Sequence, residues 1–260
     1  MRATVIVVVV LVLALPAVCG AAPSIRGYTG VMMTPNTEVA AQDTIEVGAH
    51  AFGIDNLLGI PNLDADSTTF LANVGVTKGL EATLAVRALD IHIPEVIPVQ
   101  TDQTQVALHL KYQFLKEPDD PVGLAVGMTD VFEQWDNLFF EPMLHDADIG
   151  FYGVVSKNFS DLAAGDPPLR VNVGLLFSKE PLFADNVWHL IPMFANDTQF
   201  FGSVEAGLSD EVMLMAELAG DSLNYQVRIT PDPKVKLDIG FVDAYGTTDL
   251  FWGGSYCWTW

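Results

Sequence analysis

The sequence predicts an all-β fold: a closed antiparallel up-and-down transmembrane β-barrel of about 12 strands. Three observations predict it: an apolar leader, a succession of long segments that alternate apolar and polar residues, and a final segment rich in aromatic residues. The chain has 260 residues, with 33 acidic against 12 basic side chains and a net charge of −21. Half of the residues are hydrophobic, which excludes a disordered acidic chain, and the charge disfavours nucleic acid as a partner.

The amino terminus has the features of a signal peptide. Arg2 supplies a positive charge, and the run at 5–18 is apolar apart from the helix breaker Pro16. This run is too short to cross a bilayer as a helix, and small residues up to Ala21 then provide a cleavage site. A lipoprotein signal ending at Cys19 is an alternative.

The chain therefore divides into three parts. We expect residues 1–21 to be removed on export, residues 22–41 to form a periplasmic or plug segment, and residues 42–260 to form the barrel. Only two cysteines are present, which excludes a disulfide-rich scaffold and a cysteine-ligated metal cluster.

Strict alternation with period two follows the leader. In residues 105–114, Val106 and Leu108 lie on one face while His109 and Lys111 lie on the other. Most such segments exceed the usual soluble strand of about 5–6 residues and suit a strand tilted across a membrane. Twelve segments occur, near 42–53, 67–76, 80–92, 104–116, 121–131, 146–157, 168–178, 198–207, 211–219, 223–230, 234–242 and 249–260.

The connections favour a membrane barrel over a soluble one. Tight turns and longer loops tend to alternate along the chain, which places both termini at the tight-turn, periplasmic end. A soluble sandwich or lipocalin-like barrel also has alternating strands, with the apolar face turned inward. Alternation alone does not distinguish the two orientations, but the apolar faces here are long, uncharged and flanked by aromatic residues.

The last segment carries a candidate assembly signal. Trp252, Tyr256, Trp258 and Trp260 share one face of the final strand. This alternation ending in an aromatic residue resembles the signal that the barrel-insertion machinery reads in outer-membrane barrels, where the last residue is usually Phe. The resemblance implies that this machinery is a partner, together with outer-membrane lipid and lipopolysaccharide.

If the apolar faces meet lipid, the opposite faces line the lumen. Charges of both signs then either pair into a mostly closed interior or surround a small polar channel, and the sequence leaves both interpretations open. The predicted lumen-lining residues are Glu46, His50, Glu81, Arg87, His109, Lys111, Arg170, Glu205, Glu217, Arg228, Lys236 and Asp238.

The sequence predicts no enzyme and no cofactor. None of the five histidines is followed two residues later by the serine of the H-x-S pair found in outer-membrane lipid hydrolases, and no phosphate loop or zinc-protease motif occurs. A lipid hydrolase or deacylase using His92, which has outward parity, is one alternative. A soluble periplasmic ligand-binding barrel is another.

The segment between the leader and the first strand resembles a known family. The stretch GYTGVMMTPNTEV at 27–39, leading into TIEVG at 44–48, is similar to the amino-terminal region of YjbH-like outer-membrane proteins. The turn VGVTKGLE at 74–81 and its variant AGLSDE at 206–211 resemble their hairpins. The resemblance implies a bacterial outer-membrane barrel with a structural or passive pore role, a link to exopolysaccharide export, polysaccharide as a partner and no catalytic residue.

Overall fold

The fold consists of twelve strands within the part of the chain that the structure describes. This computed structural model describes residues 22–24, 28–54, 64–92, 100–136, 149–159, 168–178, 197–220, 222–244 and 247–259. The strands are β1 Thr44–Ile54, β2 Asp64–Thr77, β3 Leu80–His92, β4 Gln100–Leu115, β5 Gly123–Asp136, β6 Gly150–Asn158, β7 Leu169–Ser178, β8 Asp197–Gly207, β9 Val212–Ala219, β10 Ser222–Asp232, β11 Val235–Ala244 and β12 Thr247–Thr259.

The sheet closes on itself. Each strand pairs antiparallel with its neighbours along the chain, and β1 pairs with β12 from Thr44↔Thr259 to Phe52↔Phe251. Closure gives both edge strands a partner for their backbone N–H and C=O groups, which lipid does not provide. The predicted fold class, a closed antiparallel twelve-stranded barrel, is confirmed.

The orientation of the two faces distinguishes a membrane barrel from a soluble one. Leu175 and Ile239 are 43% and 49% exposed on the outside, whereas Arg228 and Lys236 are 7% and 4% exposed in the interior. A soluble barrel has the reverse arrangement, so the alternative of a soluble ligand-binding barrel is wrong. Other exposed outward residues include Val47, Phe70, Val126, Val155, Val173, Leu214, Leu223, Leu237 and Leu250.

The short connections β2–β3, β4–β5, β8–β9 and β10–β11 lie at the end of the barrel where β1 starts and β12 ends, whereas the short connections β9–β10 and β11–β12 lie at the opposite end. The turn between β2 and β3 needs Gly79, whose φ is +91° and whose missing Cβ would lie 2.9 Å from the backbone oxygen of Gln113. Aromatic rings lie on the outer surface near both rims, with Phe114 at the turn end and Phe177 and Phe200 at the loop end. This placement matches the aromatic girdles of membrane barrels.

Strand β5 departs from simple alternation in its middle, and further register shifts lie beside the turns after β2, β4 and β10. The pairing of β4 with β5 shifts between Leu108 and Leu110, and Asp130 of β5 has a positive φ of 54°. This is a β-bulge, which interrupts the ladder and lets the strand continue in a new register. Alternation predicts a strand that ends near 131, just after the bulge, whereas β5 continues to Asp136.

Residues 28–40 lie inside the barrel, and the exposed residues 41–43 lead into β1. Tyr28, Val31 and Met32 are each 1% exposed, and a bridge between Gly30 and Pro35 folds the segment back on itself. We call residues 28–43 the inner segment. Within the described residues, no helix is long and apolar enough to span a membrane.

We expect a charge on the outer face of β11 to destabilise the barrel. Ile239→Arg would place a guanidinium near the middle of the apolar band and should cost about 2–4 kcal/mol of folding free energy in lipid vesicles. Leu208→Arg is the matched control, because exposed Leu208 lies in the β8–β9 turn, where the cost should be about 0–1 kcal/mol. Equal urea midpoints for the two variants would contradict the lipid-facing assignment.

Candidate functional site

The candidate site is the lumen with its inner segment. Ten of the twelve predicted lumen-lining side chains are buried, and the other two, Arg87 and Arg170, are half-buried. Arg87 donates to Oε1 of Gln105 at 2.8 Å. The His109 ring meets Tyr28 edge-on, with 5.9 Å between ring centroids, and His50 stacks on Phe251 at 5.4 Å.

One group of buried charges pairs within the wall. Arg228 on β10 donates through Nε to Oδ1 of Asp238 on β11 at 2.7 Å and through Nη2 to Oδ2 at 3.3 Å. Lys236 on β11 donates to Oε1 of Glu46 on β1 at 3.0 Å. Ser255 on β12, the strand between them, donates to the same oxygen at 2.5 Å. These ion pairs form without the inner segment, because both residues of each pair belong to barrel strands.

A second group of charges binds the backbone of the inner segment. Glu217 on β9 accepts the N–H groups of Met32, Met33 and Thr34 at 3.2, 2.8 and 3.1 Å. It also accepts the Thr34 hydroxyl at 2.8 Å and the side-chain amide of Asn224 at 2.8 Å. One carboxylate therefore takes up five donors, and hydrogen bonds to an ionised acceptor are stronger than those between neutral groups.

A cation and a carboxylate hold the segment on the opposite wall. Glu81 on β3 and Lys111 on β4 stand directly opposite each other in the register. Glu81 accepts the Thr29 N–H at 2.9 Å, the Thr29 hydroxyl, and the Ala40 N–H at 2.7 Å. Lys111 donates to the carbonyl oxygens of Thr29 at 2.8 Å and of Glu38. The pair thus contacts both polar groups of the Thr29 backbone.

Further contacts extend around the circumference. The Thr37 N–H donates to Ser156 on β6 at 3.2 Å, and Gln113 on β4 donates to the Thr37 carbonyl at 2.8 Å. Arg170 on β7 forms an ion pair with Glu38, 2.6 Å between Nη1 and Oε1. The inner segment is therefore bound from several sides of the barrel.

Part of the lumen is apolar, and its residues are absent from the predicted lumen-lining set, which contains only charged residues and histidines. Inward residues of β5–β9, β11 and β12 pack around four residues of the inner segment, Tyr28, Val31, Met32 and Met33. A sequence signal exists, because β6 and β8 carry apolar residues on both faces. The inward members are Ala125, Tyr152, Val154, Leu176, Phe201, Met215, Ala219, Val242 and Phe251.

Two inward rings lie over glycines of the neighbouring strand. Phe201 stands opposite Gly174, and Tyr152 stands opposite Gly127. A Cβ on Gly174 would lie 2.2 Å from Cζ of Phe201, and one on Gly127 would lie 2.2 Å from Cζ of Tyr152. The missing side chains therefore provide the space in which the rings lie against the wall.

The candidate assembly signal is placed on the outer surface. Trp252 and Trp258 are exposed outside β12 and Tyr256 is half-buried, whereas Trp260 lies outside the described residues. The His92 side chain, on which the hydrolase alternative depends, also lies outside them. No group of three or more potential metal ligands occurs among the residues that the structure describes.

A closed barrel with an apolar exterior and buried charges in its lumen belongs to the class of membrane-spanning β-barrels. No protein-family model and no curated protein matches the chain. Among solved structures, the KdgM porin is 9% identical, with a TM-score of 0.49 over 81% of this chain and 98% of that one.

Two further solved structures show similar values. An outer membrane channel from Pseudomonas putida F1 is 10% identical, with a TM-score of 0.45 over 86% of this chain and 97% of that chain. The NanC porin is 10% identical, with a TM-score of 0.44 over 82% of this chain and 98% of that chain. The barrel assignment itself follows from the pairing of the chain's own strands.

Filling the space beside Gly174 should destabilise the folded barrel. Gly174→Val would collide with the Phe201 ring and with the backbone oxygen of Gly153, and overpacking of this kind costs about 1–3 kcal/mol. The matched control is Gly153→Val, because a Cβ there meets nothing within 4 Å. The temperature at which the folded band disappears in heat-modifiable gel migration should fall for the first variant only. An equal fall for both would contradict the packing account.

Proposed function

We propose that this protein is an outer-membrane β-barrel with a passive pore role, whose lumen is closed in the described state by its inner segment. The observation that carries the proposal is the contrast between the two surfaces: an apolar exterior suited to lipid and a charged lumen that holds residues 28–43 by hydrogen bonds. Outer-membrane lipid and lipopolysaccharide are the proposed surroundings, and the barrel-insertion machinery is the proposed assembly partner.

The barrel does not depend on the inner segment for its closure. The closing pairs join β1 to β12. The ion pairs Arg228–Asp238 and Lys236–Glu46 also lie within the wall. Withdrawal of the segment would therefore leave a closed barrel with a continuous hydrogen-bonded wall. The exposed interior would be polar on the sides that carry Glu81, Lys111 and Glu217, which supports passage of water and small polar solutes.

A link to surface polysaccharide is the finer part of the proposal. It is supported by the resemblance of residues 27–39 to YjbH-like proteins. Within this stretch, Thr29 and Thr34 contact the wall carboxylates Glu81 and Glu217. The resembling residues are thus the ones through which the segment is attached, which connects the motif to control of the lumen rather than to catalysis.

Removing residues 22–41, which include most of the inner segment, should open the pore. Purified full-length protein in planar lipid bilayers should show little steady conductance, whereas a variant lacking residues 22–41 should show stable single-channel steps. Heat-modifiable migration confirms that each protein is folded. Silence of both folded proteins would contradict the pore role and leave a structural barrel.

A single substitution in the wall should also open the pore, to a smaller extent than the deletion. Glu217→Ala removes the acceptor of four donors from the inner segment, and each hydrogen bond to a charged group contributes about 1.5–3 kcal/mol. The fraction of time spent open should rise by at least about tenfold. Glu211→Ala, in the exposed β8–β9 turn, is the control and should leave gating unchanged.

A further inference from the structure

A cavity of about 210 Å³ lies between the inner segment and the wall formed by β6 to β11. Its lining includes three cations and two carboxylates. These residues are Arg170, Arg228, Lys236, Glu38 and Glu205. Arg228 and Lys236 are buried, so the cavity presents positive groups that are largely withdrawn from water.

The three cations differ in the origin of their partners. Arg228 and Lys236 are neutralised by Asp238 and Glu46, which belong to the wall and are not part of the cavity lining. Arg170 is instead paired with Glu38, which belongs to the inner segment. The carboxylate that pairs with Arg170 therefore comes from the inner segment and not from a strand of the barrel.

The second carboxylate of the lining, Glu205, attracts Arg170 but is hydrogen-bonded to two asparagine side chains. Glu205 stands opposite Arg170 in the register, but its Oε1 accepts the side-chain amide of Asn172 at 2.8 Å and that of Asn36 at 3.4 Å. With Glu38 displaced, Arg228 and Lys236 would keep Asp238 and Glu46, and Arg170 would lose the carboxylate with which it forms its ion pair. A guanidinium binds a carboxylate through two parallel N–H donors, which makes Arg170 the natural contact for an entering anion.

We propose that this cavity is a binding site for small organic carboxylates, and that Glu38 occupies it in the closed lumen as an internal substitute for the solute. A carboxylate solute and Glu38 then compete for Arg170. The inference rests on the proposed pore function for the route by which solute arrives, and it names the solute class.

The test is an equilibrium titration of full-length protein in detergent with gluconate. Glucitol is the matched neutral probe, because it has the same carbon chain without the carboxylate. Glu38→Gln keeps the backbone carbonyl that Lys111 binds and removes the competing negative charge. This variant should bind gluconate at least about tenfold more tightly than the unmodified protein, with no gain for glucitol.

Three further variants separate the site from general charge effects. Adding Arg170→Gln to Glu38→Gln should abolish the gain. Lys157→Gln on the same background should preserve it, because Lys157 pairs with Glu117 and does not line the cavity. Glu211→Gln alone should not increase gluconate affinity.

Several results would overturn the proposal: equal gluconate affinity with and without Glu38→Gln, absence of binding to any folded variant, an equal gain for glucitol, or a gain that persists without Arg170. The readout is independent of conductance. If the barrel conducts after loss of residues 22–41 but no folded variant binds gluconate, the binding site is refuted and the pore function is retained. If gluconate binds but the barrel never conducts, the pore function is refuted and the binding site is retained.

Discussion

Pairing of the first strand with the last is the constraint on which the rest of the molecule depends. A membrane interior provides no hydrogen-bond partners, so every backbone group of the wall needs one inside the protein. The nine residue pairs from Thr44↔Thr259 to Phe52↔Phe251 remove the only two edges of the sheet. Once the sheet is closed, alternate side chains must face either lipid or lumen, and the apolar set faces lipid because charge there would be costly.

Charged residues in a narrow lumen create a second requirement. Buried carboxylates and ammonium groups are stable only when hydrogen-bonded or paired. Asp238 and Glu46 find cations in the wall, whereas Glu81 and Glu217 accept N–H groups from the inner segment. The segment also brings apolar residues, so the same stretch satisfies buried charges on one side and completes an apolar cluster on the other. The closed lumen follows from both effects.

Regular parts of the fold were predictable from sequence because period two is a local property. The predicted segment 80–92 coincides with β3, and the inward parity of residues such as Glu217 and Lys236 agrees with their burial. Prediction was poorer where local geometry changes. The bulge around Asp130 interrupts the alternation of β5. The inward apolar residues of β6, Tyr152 and Val154, are a local sign of the apolar part of the lumen, but alternation does not show which segment they pack against.

The sequence by itself determined the number of strands, their two faces and the sign of each inward charge, because these depend on residues that are close together along the chain. Only the tertiary structure decided which charges pair within the wall and which bind the inner segment. Those contacts join residues far apart in sequence, such as Thr29 with Glu81 and Thr34 with Glu217, separated by 52 and 183 positions. Closure of the barrel brings them together, and no local pattern specifies such partners.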